Sequence, residues 1–511
     1  MSLLDWIVVV SYLLGMLGLS ALVGRRQTSR KDYYLGGNAM GALPLATSTI
    51  ATQCSTNSLL GAPAFVGFVA GGGMLWLQYE LAVPLAMLAL MLLLAPIRGQ
   101  GHISIYAFLE QRLGPQTRLV ASLCFQLFRG VATGVTVYGV ALVLTLLLDI
   151  SYTMAVVILM GVTIAYDVLG GMRAVVISDV IQMLLIVAAV LVTIGFLLTQ
   201  VSVDNVLALQ RTQALDFNWG LRSEDSYGFW PMLIGGFFLY AAYYGCDQSQ
   251  AQRVLAAQSP AASNRVLLLN GLLRFPVVLL YCLLGLVLAA YAAATPTFIS
   301  ALPATASGAP NYNLVFPAYV LQSFPAGLLG LVMVGIFAAA MSSIDSALNS
   351  LSATTIEDLL NRRGQMSERQ LFTVSKLATL GWGVFAVFFS YQVENIAPTV
   401  LEAINKIGSM ANGPLLALFV MALLSPGASQ VRVLSGFAAG LITNGILWLG
   451  FPEVSWLWWN VTGFVMALAI AGLAGLRLTS TGLDLPTPVS RRLLLGMTAF
   501  ILAVCALFQL V

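Results

Sequence analysis

Four polar side chains in one hydrophobic segment have the residue types and the spacing to bind a cation. In a helix spanning residues 338–353, offsets of 0, 3, 4 and 7 place them on one face: Ser342, Asp345, Ser346 and Asn349. A carboxylate and hydroxyls among apolar neighbours are costly within a membrane unless they face protein, water or an ion. The stripe therefore indicates either a cation site or polar contacts between helices, and the segment alone favours neither.

The composition predicts that the elements carrying this stripe span a membrane. Hydrophobic residues make up 59% of the 511-residue chain, charged residues make up 8%, and the mean hydropathy is +0.91. Soluble proteins carry about one-quarter charged residues. The five cysteines lie in apolar segments without metal-binding spacing, so we expect neither disulfides nor zinc. The sequence has no P-loop, which argues against ATP as an energy source.

Hydrophobic runs long enough to cross about 30 Å of hydrocarbon predict fourteen transmembrane spans. They cover approximately residues 5–24, 42–66, 74–97, 118–149, 153–170, 178–200, 228–250, 265–293, 324–353, 370–392, 396–424, 431–452, 455–477 and 491–510. With the N-terminus outside, the inner face receives 18 of the 23 Lys and Arg residues, and the outer face receives only Arg211 and Arg222. We therefore expect both termini to be external.

The second predicted span is interrupted by polar residues. Nine of the twelve positions in residues 47–58 are polar, which a regular lipid-facing helix would not tolerate. Discontinuous helices free backbone carbonyls that can bind cations and solutes, although a water-lined pore helix is an alternative. Polar groups in other spans could reach the same cavity. At the inner end of span 7, by contrast, we expect Asp247, Gln250 and Arg253 to cap or anchor the helix.

Four segments carry a recognisable combination of motifs: AAAMSSIDSALNS (338–350), IATQCSTNSLLGAPA (50–64), GGMRAVVISDVIQ (170–182) and DQSQAQRVLAA (247–257). Together they resemble the sodium/solute symporter family, which includes sodium/glucose, iodide, proline and sialic acid cotransporters. The resemblance implies an all-α membrane protein with a leucine-transporter-type core of two inverted five-helix repeats and broken helices. The repeats would cover 42–200 and 228–424, with 1–41 and 425–511 as peripheral helices of one transporter domain, 1–511.

The resemblance also implies sodium sites. The main site would use the backbone carbonyls of Ala51, Cys54 and Ala339 with the hydroxyls of Ser342 and Ser343, in keeping with the oxygen ligands that hard cations prefer. Some family members bind a second sodium ion, and the matching positions here are Asp179, Ser342, Asp345 and Ser346. Asp345 departs from the family pattern, because some members with two sodium ions have Ser there. It could strengthen the site, hold a proton or pair with a basic neighbour, so we expect one or two Na+ ions.

The transported solute should lie against the broken helices. Our candidate contacts are Gln53, Ser55, Ser58, Gln78, Arg129, Tyr240, Tyr243 and Arg274. Two buried arginines favour an anion, because guanidinium pairs with carboxylate in a bidentate geometry. We therefore expect a small organic acid such as a monocarboxylate, a sialic acid or a carboxylated vitamin. A neutral sugar or polyol is the alternative, since Glu80 or Asp345 could neutralise Arg274.

Taken with the resemblance, these residues predict a sodium-coupled importer that works by alternating access. We expect it to function as a monomer in the lipid of a bacterial inner membrane, without a nucleic-acid partner. A channel and a sensor are the rival classes, but no loop is long enough to hold a signalling domain. An enzyme is also disfavoured, because the sequence offers no catalytic or metal-binding constellation beyond the cation ligands.

Overall fold

A computed structural model describes the chain except for residues 26, 28, 55, 98–99, 306–307, 363, 394–399, 474–485 and 511, and it describes no side chain at 400–403 or 473. The candidate residue Ser55 therefore lies outside the described residues. So do parts of the predicted spans 396–424 and 455–477, and four of the basic residues counted at the inner face: Arg26, Arg98, Arg363 and Arg477. The described part is helical, and its β-pairing is limited to three isolated bridges.

The α-helices of the first half are α1 (Leu3–Gly24), α2 (Arg30–Leu35), α3 (Ala42–Gln53), α4 (Thr56–Phe68), α5 (Trp76–Tyr79), α6 (Ala82–Leu93), α7 (Tyr106–Leu113), α8 (Pro115–Leu148), α9 (Tyr152–Leu197) and α10 (Val203–Leu207). Those of the second half are α11 (Gly236–Cys246), α12 (Gln248–Leu255), α13 (Pro260–Ala294), α14 (Pro296–Ser300), α15 (Val315–Ser323), α16 (Leu328–Thr354), α17 (Glu368–Ser390), α18 (Val400–Leu424), α19 (Gln430–Gly450), α20 (Trp456–Leu473) and α21 (Pro488–Leu510). Short π-helical turns precede α11 (Pro231–Gly235) and extend α16 (Thr355–Leu360).

Within the described residues, ten helices are long and apolar enough to cross a membrane. The other predicted spans correspond to the α3–α4 pair, to α11, to α20 and to one half of α9. The predicted number of fourteen spans therefore stays a prediction.

α9 comprises 46 residues in two helices, which correspond to two predicted spans. Gly171 divides it, with φ of 54° and ψ of −169°, a backbone conformation that side chains with a Cβ rarely adopt. Twelve residues of straight helix would separate Tyr166 from Ser178 by about 18 Å, yet the Tyr166 hydroxyl donates a hydrogen bond to Ser178 Oγ. The two halves of α9 therefore fold back on each other at Gly171.

α16, which carries the polar stripe, is the most enclosed of the long helices in the described part of the chain. Every residue from 332 to 354 is buried, and the helix contacts α9, α8, α1 and α3. Some of its hydroxyls need no outside partner, because Ser350 and Thr354 donate to carbonyls one turn back, at 2.8 and 3.1 Å. The hydroxyls that reach other helices, and the carboxylate of the stripe, are therefore the informative groups.

The N-terminus of α16 is capped by Asp5, which precedes Gly327 by 322 residues in the chain. No side chain caps α16 from its own N-cap residue, Gly327. Asp5 on α1 instead accepts hydrogen bonds from the backbone N–H groups of Gly327 and Gly330, at 2.7 and 2.8 Å. Its other oxygen accepts from Ser2 N and Ser2 Oγ, at 2.8 and 2.7 Å. A carboxylate at a helix N-terminus also complements the helix dipole, so Asp5 docks α1 against α16.

We expect Asp5→Ala to lower the free energy of unfolding by about 1–3 kcal/mol, because the N–H groups of Gly327 and Gly330 at the start of α16 lose their acceptor. The loss should appear as a lower Tm of the purified protein in detergent. The matched control is Asp204→Ala on α10, where the side chain is exposed and the change should stay within about 0.5 kcal/mol. Equal Tm values for the two variants would contradict the capping role.

Candidate functional site

The helix break in the second predicted span lies between α3 and α4. α3 ends one residue before Cys54, whose ψ of 44° is not helical. The last carbonyls of a helix lack intrahelical partners, and hydroxyls from two other helices reach them here. Ser342 Oγ donates to Ala51 O at 3.1 Å, and Tyr281 OH donates to Cys54 O at 2.6 Å. A second interruption, with ψ of 121° at Asp247, separates α11 from α12.

The structure brings together three of the five residues expected in the main sodium site. Ser342 Oγ donates to Ala51 O and to Ala339 O, each at 3.1 Å, and all three residues are fully buried. Ser343 follows on α16, but its hydroxyl donates to Ala340 O at 3.2 Å. The Cys54 carbonyl accepts from Tyr281, as described above. The Ser342 hydroxyl and the carbonyls of Ala51 and Ala339 thus form a compact group of oxygens. The other two predicted ligands, the Cys54 carbonyl and the Ser343 hydroxyl, belong to residues close to these in the chain.

Arg253 lies deep inside the protein beside the predicted second sodium site. Its Nη2 is 3.2 Å from Asp179 Oδ2 and also donates to Ser346 Oγ. Its Nε donates to Ser48 Oγ at 2.7 Å, and Ser48 Oγ in turn donates to Asp179 Oδ2 at 2.5 Å. Arg253 is only 1% exposed, so the expectation that it anchors the inner end of span 7 is wrong. The reason is the break at Asp247, after which α12 directs Arg253 toward α3, α9 and α16.

Asp247 and Gln250 do act near the end of that span. Asp247 Oδ1 accepts from Ser249 N at 2.7 Å and so caps the first turn of α12. Gln250 donates to the hydroxyl of Tyr243 at 2.8 Å, which links the two sides of the break.

Asp345 makes its hydrogen bonds within its own helix. Its Oδ1 accepts from Ser346 N at 2.5 Å and from Ser346 Oγ at 3.2 Å, whereas its Oδ2 has no partner among the described residues. Ser346 Oγ also donates to Ser342 O at 2.7 Å. Three of the four residues of the predicted second sodium site, Ser342, Asp345 and Ser346, are therefore neighbours on α16. The guanidinium of Arg253 already contacts Ser346 and the fourth residue, Asp179.

A cavity with a volume of about 130 Å³ lies between α3, α4, α5, α8, α11, α13, α16 and α18. Its lining contains six of the eight predicted solute contacts: Gln53, Ser58, Arg129, Tyr240, Tyr243 and Arg274. Ser343 from the predicted main sodium site lines it as well. Gln78 is not part of this lining. Its amide donates to Tyr227 O at 2.5 Å and accepts from Asp216 N at 3.2 Å, so it ties the segment between α10 and α11 to α5.

The two arginines of the cavity have different environments. Arg274 is held by internal partners: its Nη2 donates to Glu80 Oε1 at 2.8 Å and to Tyr240 OH at 2.7 Å, and its guanidinium lies 4.4 Å from the Tyr240 ring centre. Glu80 is 1% exposed and Arg274 is 4% exposed. A buried pair of this kind neutralises the arginine, as the alternative interpretation of the sequence allowed.

Arg129 is held more loosely. Its Nη1 lies 3.7 Å from Asp247 Oδ2, its guanidinium lies 5.7 Å from the Tyr243 ring centre, and its buried Nε has no hydrogen-bond partner among the described residues. Asp247 also uses its other oxygen to cap α12. Arg129 therefore has hydrogen-bonding capacity left to offer a ligand in the cavity.

Two contacts of the site escaped the sequence-based prediction. Tyr281 lines the cavity and holds the Cys54 carbonyl, so it connects the cavity with the predicted sodium ligands. It follows Arg274 by seven positions on α13, and this two-turn spacing is a signal that could have identified it. Asn57 also lines the cavity and donates to Thr136 Oγ1 at 2.9 Å, while its own oxygen stays unpartnered among the described residues.

Comparison with known proteins identifies the family. Residues 33–440 match the model of the sodium:solute symporter family. Sodium-coupled monocarboxylate transporter 1 of Mus musculus is 30% identical over 454 residues, which cover 85% of this chain and 72% of that transporter. The sodium/sialic acid symporter NanT of Aliivibrio fischeri is 27% identical over 485 residues, which cover 92% of each chain.

A solved structure has the same fold. A substrate-bound, outward-open Na+-coupled sialic acid symporter aligns with a TM-score of 0.81 over 93% of this chain and 98% of its own chain, at 23% sequence identity. This similarity confirms the predicted all-α, leucine-transporter-type fold. The relatives are symporters, and sodium is the coupling ion of the family. The chain therefore belongs to the sodium:solute symporter family and is a sodium-coupled membrane transporter rather than an enzyme.

Proposed function

We propose that this symporter imports a small organic acid, and that the solute carboxylate binds Arg129. The observation that carries the proposal is the loose ion pair of Arg129 at the cavity, 3.7 Å from Asp247, compared with 2.8 Å between Arg274 and Glu80. Each of the two arginines also has a buried Nε without a partner among the described residues. An incoming carboxylate can accept two parallel hydrogen bonds from a guanidinium, which is a stronger arrangement than one long contact. Relatives named for monocarboxylate and sialic acid transport support the same solute class.

Arg274 does not have this role in the proposal. Its charge is matched by Glu80 at 2.8 Å, and a second carboxylate would have to compete with that buried partner. The cavity thus contains one arginine with a close carboxylate partner and one whose carboxylate partner is farther away, at 3.7 Å.

A neutral sugar or polyol is the second candidate, and a specific observation favours it. The side-chain oxygens of Gln53 and Asn57 are buried without partners in the described part of the chain, and both residues line the cavity. Amide oxygens accept hydrogen bonds from hydroxyl groups. A hydroxylated acid such as a sialic acid would use both Arg129 and these amides, whereas a simple monocarboxylate would leave the amides to water.

For the sodium ion we propose the main site predicted from the sequence. Ser342 Oγ already lies 3.1 Å from both Ala51 O and Ala339 O, and Cys54 O and Ser343 Oγ complete the proposed set of ligands. When an ion binds, Ser342 must turn its proton away from the two carbonyls so that its oxygen faces the cation. Tyr281 touches both the Cys54 carbonyl and the cavity, which offers a direct path for coupling solute to sodium.

We further propose that the protein acts as a monomer in a bacterial inner membrane, surrounded by lipid, with both termini external. The distribution of Lys and Arg between the two sides of the predicted spans supports the external position of the termini. The division into repeats at 42–200 and 228–424, with peripheral helices at 1–41 and 425–511, belongs to the same proposal. It is supported by the breaks at Cys54 and Asp247, which lie near the start of each repeat.

Replacing Ser342 and Ser343 together by Ala should reduce sodium-driven uptake by about tenfold or more, because the cation loses both hydroxyl ligands. The measurement is uptake of radiolabelled solute into proteoliposomes, with an inward sodium gradient and with potassium in place of sodium. Ser350→Ala is the matched control, since this buried hydroxyl bonds only its own helix at 2.8 Å. Full sodium dependence in the double variant would refute the main-site assignment.

Arg129→Gln should weaken binding of an acidic solute by about 10- to 150-fold, which corresponds to the 1.5–3 kcal/mol of a charge-assisted hydrogen bond. A thermal-shift screen of acids, their amide analogues and neutral sugars, each with and without sodium, identifies the solute first. Titration calorimetry then compares wild type, Arg129→Gln and Arg129→Lys, whose charge is retained without the planar fork. A preference for neutral sugars, or unchanged affinity for an acid in Arg129→Gln, would overturn the organic-acid proposal.

A further inference from the structure

The two ion pairs at the solute cavity differ in how closely they are joined. Arg274 lies 2.8 Å from Glu80, whereas Arg129 lies 3.7 Å from Asp247. Asp247 is the one carboxylate among the described residues that line the cavity. A solute carboxylate on Arg129 competes with Asp247 for the guanidinium and weakens the pairing of that buried charge. A solute that also offers a hydrogen-bond donor to Asp247 avoids this loss.

The two carboxylate oxygens of Asp247 have different environments. Oδ1 accepts hydrogen bonds from Ser249 N at 2.7 Å and from Ser249 Oγ at 2.5 Å, which fixes the side chain at the N-terminus of α12. Oδ2 lies 3.7 Å from Arg129 Nη1, which is longer than a hydrogen bond, and it accepts no hydrogen bond from the described residues. The Asp247 side chain is 15% exposed. Oδ2 is therefore an acceptor with free capacity at the cavity.

An ion pair outside the cavity shows the contrast. Arg118 lies 2.7 Å from Asp358 Oδ1, while Ser104 and Ser122 donate to Asp358 Oδ2, each at 2.8 Å. Both oxygens of that carboxylate thus have close donors, and its side chain is 0% exposed. The pair at the cavity is longer and more exposed, and only one of its carboxylate oxygens accepts hydrogen bonds. This is the geometry expected where a ligand supplies the missing donor.

The short distance between Arg129 and Asp247 restricts the solutes that can bind both. Arg129 belongs to α8, and Asp247 lies at the break between α11 and α12. Their nearest charged atoms are 3.7 Å apart, so the carboxylate and the donor of the solute must also be close together. A hydroxyl or an ammonium group on the carbon next to the carboxylate meets this condition.

We propose that Asp247 Oδ2 forms a second solute subsite, which accepts a hydrogen bond from a hydroxyl or ammonium group on the carbon next to the solute carboxylate. The transported acid is then a 2-hydroxy acid or a 2-amino acid, bound by Arg129 through its carboxylate and by Asp247 through its donor. This inference rests on the proposed function and narrows its solute class. The hydroxyl and the ammonium group share the donor chemistry but differ in charge, so matched solutes separate them.

The test measures the contribution of the donor with acids of one carbon skeleton. Titration calorimetry of the purified full-length protein in sodium compares three sets: lactate, L-alanine and propionate; 3-phenyllactate, L-phenylalanine and 3-phenylpropionate; 2-hydroxy-4-methylpentanoate, L-leucine and 4-methylpentanoate. In at least one set, we expect an acid with a donor to bind about tenfold or more tightly than the acid without one, as for a hydrogen bond to a charged group. The member that binds best tells a hydroxyl from an ammonium group.

Asp247→Asn removes the acceptor and keeps the helix cap, because Asn is as good an N-cap residue as Asp. The amide oxygen can accept from Ser249 N, and the amide nitrogen, which cannot accept, takes the place of Oδ2. The advantage of the donor-bearing acid should fall to about twofold or less. The acid without a donor should bind as well as to the wild type or better, because Arg129 has lost its competitor.

Two further variants complete the experiment. Asp149→Asn, at an exposed residue after α8 with a φ of 53° that Asn tolerates, should keep the wild-type advantage of the donor-bearing acid. Asp247→Ser, which also retains an N-cap side chain, provides a second neutral variant if Asp247→Asn does not fold. It should lose the same advantage.

Equal affinities or absence of binding in all three sets, or an undiminished donor advantage in whichever Asp247 variant folds, would overturn the subsite. Failure of the organic-acid proposal looks different. In that case 2-phenylethylamine, which has no carboxylate, binds as tightly as L-phenylalanine, and Arg129→Gln leaves both affinities unchanged while Asp247→Asn weakens them.

Discussion

The hydroxyl of Ser342 joins two parts of the chain that lie 291 residues apart, since it donates to the Ala51 carbonyl at the interrupted end of α3. In a hydrophobic interior, an unpaired carbonyl is costly, and a broken helix creates several. The oxygens exposed by the break therefore need hydroxyls or ions as partners. Much of the architecture around α16 can be understood as the means of keeping those partners in place.

Two features hold α16 in place beside the break between α3 and α4. Asp5 caps its N-terminus from α1, so the two helices begin as one unit. Gly171 lets α9 fold back, which brings Ser178 and Asp179 toward the α16 stripe and keeps Tyr166 beside them. These contacts bury the polar stripe in protein, where the low dielectric strengthens the electrostatic interactions of each carboxylate on or near it. Burial stabilises the helix, and it also makes a positive partner for each buried carboxylate energetically favourable.

The arginines of the interior illustrate how one residue type takes several roles. Arg274 is neutralised by Glu80 and packs on Tyr240, which makes it part of the cavity wall. Arg253 acts as a fixed cation between α12, α9 and α16. Arg129 and Arg274 each keep a buried Nε without a partner at the cavity, but only Arg129 lacks a close carboxylate, since its nearest one, on Asp247, is 3.7 Å away. The difference lies in the distance to the nearest carboxylate, because a close buried pair leaves little electrostatic attraction for a third group.

The sequence by itself determined the properties that depend on neighbouring residues. Hydropathy predicted the helices, the polar run at 47–58 predicted the break before α4, and helical spacing placed Ser342, Asp345 and Ser346 on one face. Tertiary structure decided which distant groups meet. Asp179 and Arg253 are 74 residues apart, and Tyr281 reaches Cys54 across 227 residues. Gln78 bonds to the segment between α10 and α11, although its residue type suited the cavity. Local patterns restrict backbone conformation and burial, but the partner of a buried charge is selected by how whole helices pack, and that selection leaves no short-range trace in the sequence.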